Sequence, residues 1–422
     1  ASGAIHQIFD LGRNAKCGET LYLATQHAFA GHCEAIRQRE NKRVMDGIMD
    51  AETTGLSRAA READDAGRDL DNKLRVLELY SGIGGMHFAC RPERTCVVAA
   101  VDVNTTANSV YAFNFPETRL LQRNVQSLSA REIDTLRPDL VTMSPPCQPF
   151  TRQGLQRDSQ DPRSSSLFAF LSVLSTLKRK PKYVLVENVK GFETSATHST
   201  LTQVLQDNGY HIHRYLLSPT QFGVPNSRLR FYCLAKLRLA QFRDCCQDQV
   251  CSGACQEKPP PGSAETGPPQ NLSNFLNLND EENLADEASC LLPDKVLSRF
   301  SLLLDIVEPV STNTCCFTKG YGHYVEGTGS VLLQAPADRM HEVYGEVPHK
   351  EAVPEHVLEK LRSLRLRYFT PREVARLMCF PKHFAFPTEL KPRHQYQLLG
   401  NSVNVRVVRA LLDYLLDDVP ES

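Results

Sequence analysis

No run of about 18 apolar residues occurs in the chain, which excludes a membrane-spanning helix and gives no reason to expect a membrane partner. Net charge is also lacking: 48 Lys+Arg stand against 49 Asp+Glu, a balance of −1. Bulk attraction to a polyanion is therefore absent, and a nucleic-acid partner would need a local basic face. No secretory leader is read at the start. The 14 cysteines are accordingly expected as thiols in a reducing compartment, the cytoplasm with the nucleus as a second location. Cys245, Cys246, Cys251 and Cys255 cluster, but at no spacing common among zinc ligands, so no metal is expected.

At 422 residues and 41% hydrophobic content, the chain can bury a large core in more than one domain. Residues 1–72 carry no motif, and their charged stretches suit a poorly packed extension. Order is expected from Leu74. The run Leu-Arg-Val-Leu-Glu-Leu-Tyr reads as a strand, Ser81-Gly82-Ile83-Gly84-Gly85 as a tight turn, and Met86 onward as a helix. A second apolar strand ends in Asp102, placed to accept the hydroxyls of a ribose. The glycine turn lacks the third spaced glycine of the dinucleotide fingerprint. An adenosine ligand without pyrophosphate, S-adenosylmethionine, is thus favoured over NAD.

A fourth strand, ending at Met143, runs into Ser144-Pro145-Pro146-Cys147. Two prolines fix φ and remove two donors, so Cys147 is held at a strand's carboxyl end, where open α/β sheets place ligands. It is either a nucleophile or a small core thiol. The following segment carries Arg152, Arg157 and Arg163 and suits a polar lid. A fifth strand delivers Glu187-Asn188-Val189; a carboxylate there is costly unless paired or used. Arg228 and Arg230 sit two apart on an extended segment, so they point the same way and can clamp a phosphate or lower a thiol pKa. Residues 258–270 and 279–287 read as linker. Lys360, Arg362, Arg365 and Arg367 are a solvated face or a phosphate contact. Gly400-Asn401-Ser402-Val403-Asn404 is a polar turn before a last amphipathic helix.

Glycine loop, ribose acid, Pro-Pro-Cys, Glu-Asn-Val, Arg-x-Arg and Gly-Asn-Ser-Val stand in an order that resembles the cytosine-5 methyltransferases. The resemblance covers roughly residues 74–237 and 310–417. Residues 78–82, 144–152, 226–230 and 316–321 resemble the type 2 branch of that family, which methylates tRNA. This implies a Rossmann-like α/β fold, the S-adenosylmethionine-dependent methyltransferase fold, with a small target-recognition domain. The catalytic domain would span 73–237 and be completed by 369–422, with target recognition in 238–368 and a disordered linker near 256–290. It implies that Ile83, Gly84, Gly85, Asp102, Val125, Gln126, Ser144 and Ser402 line the cofactor site. Cys147 would be the nucleophile, with Glu187, Arg228 and Arg230 acting on the base. The implied substrate is a cytosine in the anticodon loop of tRNA-Asp; the sequence leaves the oligomeric state open, with a monomer favoured. DNA as substrate and a silent nucleic-acid-binding protein stand as alternatives.

Overall fold

The computed structural model describes residues 73–146, 165–237, 255–261, 267–276, 289–349 and 352–417. The extension at 1–72, Cys147, the arginine-bearing segment 148–163, Cys245, Cys246 and Cys251, and the acidic stretch 279–287 lie outside the described residues. Contacts divide the chain into Ala1–Asn72 and Lys73–Ser422, and everything described belongs to the second unit.

Ten strands are described: β1 (Leu74–Leu79), β2 (Thr95–Val101), β3 (Leu120–Leu121), β4 (Leu140–Met143), β5 (Tyr183–Val189), β6 (Tyr210–Leu217), β7 (Arg230–Leu237), β8 (Ile306–Val307), β9 (Val331–Leu332) and β10 (Arg367–Tyr368). The helices are α1 (Gly85–Ala89), α2 (Thr105–Asn114), α3 (Ala130–Leu136), α4 (Ser165–Thr176), α5 (Ala196–Asp207), α6 (Asp294–Phe300), α7 (Ala337–Gly345), α8 (Glu355–Ser363), α9 (Pro371–Leu377), α10 (Pro392–Asn401) and α11 (Val405–Leu415).

The main sheet has seven strands in the order β3-β2-β1-β4-β5-β7-β6. Strands β3 to β5 pair in parallel, and β7 runs antiparallel to both neighbours. That reversal matters for the site. A parallel strand brings its last residue to the carboxyl rim, whereas β7 brings its first. Arg230 accordingly pairs with Val189 at the end of β5.

The alternating strands bury both faces. Leu77 and Leu79 join α3, α4 and α5 in one core; Val76, Met86 and Val110 join α9 and α11 in another. The periodic stripe Leu167, Phe170, Leu171, Leu174 and Leu177 is buried throughout, as its spacing predicts. Helix α9 begins on a capping box between Thr370 and Glu373, with Pro371 at its first turn. Helix α11 packs on α1 and β7, so the C-terminal segment closes the same layer that the glycine turn opens.

Strands β8, β9 and β10 form a second, three-stranded sheet beside a core of its own, built on Leu333, Val343, Leu361 and Leu366. Two expectations change here. Within the stretch read as linker, Gln256 bridges to Tyr215 on β6, and Leu272, Phe275 and Leu276 are buried. Three large apolar side chains just beyond a proline-rich run suffice to pin it. Three of the four cations of the basic series are paired with carboxylates, while Arg365 is exposed. Lys360 pairs with Glu346 at 2.6 Å and Arg362 with Asp294 and Glu355 at 2.9 and 2.8 Å. Arg367 is 1% exposed and paired at 2.8 Å with buried Glu373. Those cations are spent on neighbouring carboxylates.

Candidate active site

The carboxyl ends of β1, β2, β4 and β5 and the start of β7 surround a cavity of about 360 Å³, within the range of small-ligand sites. Ile83, Gly85, Asp102, Ser144, Glu187, Arg228, Arg230 and Ser402 all line it. Pro145 and Pro146, which lead to Cys147, also form part of its wall.

On one side the glycine turn shapes the wall. Gly82 is left-handed at φ 52° and a Cβ there would meet nothing within 4 Å, so the backbone borders open space. Gly85 is close-packed: a Cβ would come within 2.8 Å of Ser402 Oγ and of Val403 Cγ2. The Gly82 and Asn104 amides donate to the two oxygens of Asp102, each at 2.8 Å. This fixes the carboxylate and leaves each oxygen a further lone pair for a diol. Val103, 68% exposed, adds an apolar plate beside it. Next to these lies Glu78, 1% exposed. Tyr111 donates to its Oε2 at 3.0 Å, while Oε1 has no hydrogen-bond partner among the described residues. Burial pushes this carboxyl up to about 8, against the pull of the Tyr111 hydroxyl. A fixed acid, an apolar plate, a glycine wall and a buried carboxyl suit a ligand with a ribose, a flat ring and a cationic end. The residues thus fit S-adenosylmethionine.

Three expected cofactor residues are placed otherwise. Gly84 faces the end of α2, where a Cβ would sit 2.4 Å from the Phe115 ring. Its glycine serves packing. The Val125 side chain is buried in the core under α3 and α4. Gln126 is exposed, with Ser165 Oγ 3.5 Å from its Oε1. None of the three is among the residues lining the cavity.

On the other side, Glu187 lies 3.5 Å from Arg230 in an ion pair with little exposure. Burial raises the Glu187 carboxyl above its ordinary value, and Arg230 and Arg228 only partly offset this. Asn188 donates to the Pro145 carbonyl at 3.2 Å, tying the end of β5 to the proline turn. Arg228 differs from Arg230. Its guanidinium donates to the carbonyls of Phe317 and Gly400, each at 3.1 Å, and to that of Ser402. It is 3% exposed and acts as a strut between two loops. Cys316 lies 3.6 Å from Arg228 and 3.9 Å from Arg230. Burial acts to raise that thiol, but the two arginines overcome it and the net shift is downward.

The sequence reading missed Glu78, Lys319 and Gly400, all of which line the cavity. Glu78 carried the signal that singled out Glu187, a carboxylate within an apolar strand. Gly400 needed the tertiary contact: a Cβ there would stand 2.2 Å from the Lys319 nitrogen and the Thr318 carbonyl carbon. Backbone cannot yield cheaply, so Gly400→Ala should destabilise the fold by about 1–3 kcal/mol, read as a lowered denaturation midpoint. An unchanged midpoint would show that the two loops do not press together.

A family model described as C-5 cytosine-specific DNA methylase matches residues 74–416. The chain belongs to that family. Its seven-stranded, largely parallel sheet is the S-adenosylmethionine-dependent methyltransferase fold, and the chain is a methyltransferase enzyme. Among relatives of this cytosine-5 methyltransferase, the mouse tRNA (cytosine(38)-C(5))-methyltransferase is 42% identical, over 82% of this chain and 94% of its own length. The human protein of the same name is 41% identical, over 82% and 99%. A crystal structure of a Spodoptera frugiperda DNMT2 variant superposes with a TM-score of 0.71 at 40% identity, covering 82% of this chain and all of that one.

Proposed function

We propose that this methyltransferase acts on carbon 5 of cytosine-38 in the anticodon loop of tRNA-Asp, through a transient bond from Cys147, with S-adenosylmethionine as donor. Cytosine-38 of tRNA follows the names of its relatives, and the anticodon loop of tRNA-Asp follows the resemblance to the type 2 branch. The observation that carries the reading is that one cavity holds both halves of the chemistry: Asp102 and the glycine turn on one wall, Glu187 and Arg230 on the other. Methyl donor and base must meet in line, and adjoining sites in one cavity allow it.

Carbon 5 of cytosine is too weak a nucleophile to take a methyl group unaided. Addition of the Cys147 thiolate at carbon 6 makes carbon 5 enamine-like and able to take the methyl group. When bound, S-adenosylmethionine supplies an electrophilic methyl group on a sulfonium. Glu187 holds the base by its N3 and exocyclic amino edge. Burial raises its carboxyl pKa, which favours sharing a proton with N3 as charge develops on the ring. Arg230 keeps Glu187 in place at 3.5 Å. A proton then leaves carbon 5 and the thiolate is expelled, restoring the ring and the enzyme. A cytosine in a loop is already partly unstacked, which lowers the cost of entry relative to duplex DNA.

The family model's description names DNA, so DNA is the second reading. Incubation with methyl-labelled cofactor should label tRNA, with bisulfite sequencing placing the mark at cytosine-38. Label in DNA alone overturns the tRNA reading, and no label in either overturns both. For the covalent step, RNA carrying 5-fluorocytosine at the target should remain joined to the chain on a denaturing gel, because fluorine cannot leave as a proton does. Peptide mapping should put the join at Cys147; a join elsewhere removes it as nucleophile.

A further inference from the structure

We propose that Tyr324 is a stacking platform for a nucleobase adjoining the target cytosine. The inference rests on the RNA reading above. Tyr324 is 65% exposed, an aromatic face left in water on a turn that reaches the cavity. Lys319, five residues before it, lines the cavity wall. The turn folds back between the two: the Tyr324 amide donates to the Gly320 carbonyl at 2.9 Å. A Cβ on Gly320 would meet the Tyr324 ring at 3.0 Å. The ring thus sits against the residue that follows the cavity-lining lysine.

The turn is built to hold this face still. Thr318 and Thr328 bond across its neck at 2.9 Å, and the Thr328 hydroxyl donates to the Tyr324 carbonyl at 2.7 Å. Tyr321, buried below, donates to Ser330 at 2.7 Å and accepts from the Phe369 amide at 2.8 Å. His323 meets the Tyr324 ring edge-on, with centroids 4.6 Å apart. An aromatic face fixed in advance loses little entropy on binding. Drawing one base into the cavity strips its neighbours of a stacking partner, and a planar ring on the turn that reaches the cavity can replace it. Backbone charge recognition alone would not call for an exposed ring there.

The test uses the full chain and a fluorescent tRNA-Asp anticodon stem-loop, followed by anisotropy. Tyr324→Ala should weaken binding about five- to a hundredfold, the range for loss of one base–aromatic stack. Tyr324→Phe should bind as wild type. The melting temperature should hold in both variants, since the ring is largely in water. With RNAs made abasic on the 5′ or the 3′ side of the target, one should bind wild type and Tyr324→Ala equally. Equal affinity of Tyr324→Ala and wild type for the intact RNA overturns the stack. So does Tyr324→Phe binding as weakly as Tyr324→Ala, or an abasic series that never closes the gap. If wild type neither binds nor labels tRNA, the RNA reading falls with it; if wild type does both, only the stack is lost.

Discussion

Arg228→Ala should lose about 1–3 kcal/mol of folding stability before any question of catalysis arises. The Arg228 guanidinium is buried and shared among three carbonyls: Phe317, Gly400 and Ser402. Truncation removes the shared donor from all three acceptors and enlarges the cavity between the loops they belong to. Lysine cannot substitute, because one ammonium on a flexible stem does not span a forked set of acceptors. Arg230 has a different role, for its contacts are Glu187 at 3.5 Å, its neighbour's carbonyl and Cys316. Arg230→Ala should therefore leave the denaturation midpoint nearer to wild type and be felt mainly in turnover. Urea melts of the two variants side by side check this. An Arg228→Ala protein as stable as wild type but inactive would make Arg228 a catalytic residue rather than a strut.

That pair shows how far residue pattern carries. Spacing of two on an extended segment placed both arginines on one side, and both line the cavity. Which one is committed to carbonyls was invisible, because the Phe317, Gly400 and Ser402 acceptors lie far along the chain. The same division holds for the fold. Strands with local signals, such as the apolar runs ending in Asp102, Met143 and Glu187, were legible, as was the helix opening at Pro371. The antiparallel entry of β7 was not, since strand direction is set by the crossover and not by the composition of the strand. Gly84 illustrates a third case. Its place in the glycine turn suggests ligand contact, while the Phe115 ring is what a Cβ there would meet. A glycine reports that a Cβ is unwelcome; only the coordinates say what would meet it. Lys360, Arg362 and Arg367 stay ambiguous in the sequence for a related reason: a cation's partner carboxylate, mostly on another helix or loop, decides whether it is available to phosphate.

Glu78→Gln should stabilise the protein relative to wild type at pH 8 and lose that advantage at pH 5. The native carboxyl is pushed up to about 8, whereas in the unfolded chain it titrates near its ordinary 4.5. Below about pH 4.5 both states hold the proton and Glu78 costs nothing. As pH rises toward 8, the unfolded chain gains by ionising while the folded one cannot, so stability drains away across that window. At about 1.4 kcal/mol per pH unit the loss is roughly 3 kcal/mol by neutral pH. The groups around it offset burial only in part, the Tyr111 hydroxyl and the His87 and Met86 amides favouring the charged form. Tyr111 donates one bond, His87 behind it is held near 4 by burial and stays neutral, and Asp102 opposes ionisation. Glutamine keeps the shape and the acceptor for Tyr111 but never ionises. The change between pH 5 and pH 8 in the mutant-minus-wild-type difference is therefore the diagnostic, because pH-independent packing terms cancel in it. A difference that is flat with pH would mean Glu78 is ionised in the folded chain at neutral pH. An acid kept at such a cost on a cavity wall suits a ligand that carries positive charge, and the proposed cofactor has both a sulfonium and an ammonium. Stability given up at Glu78 then returns as binding, the usual trade at a functional site.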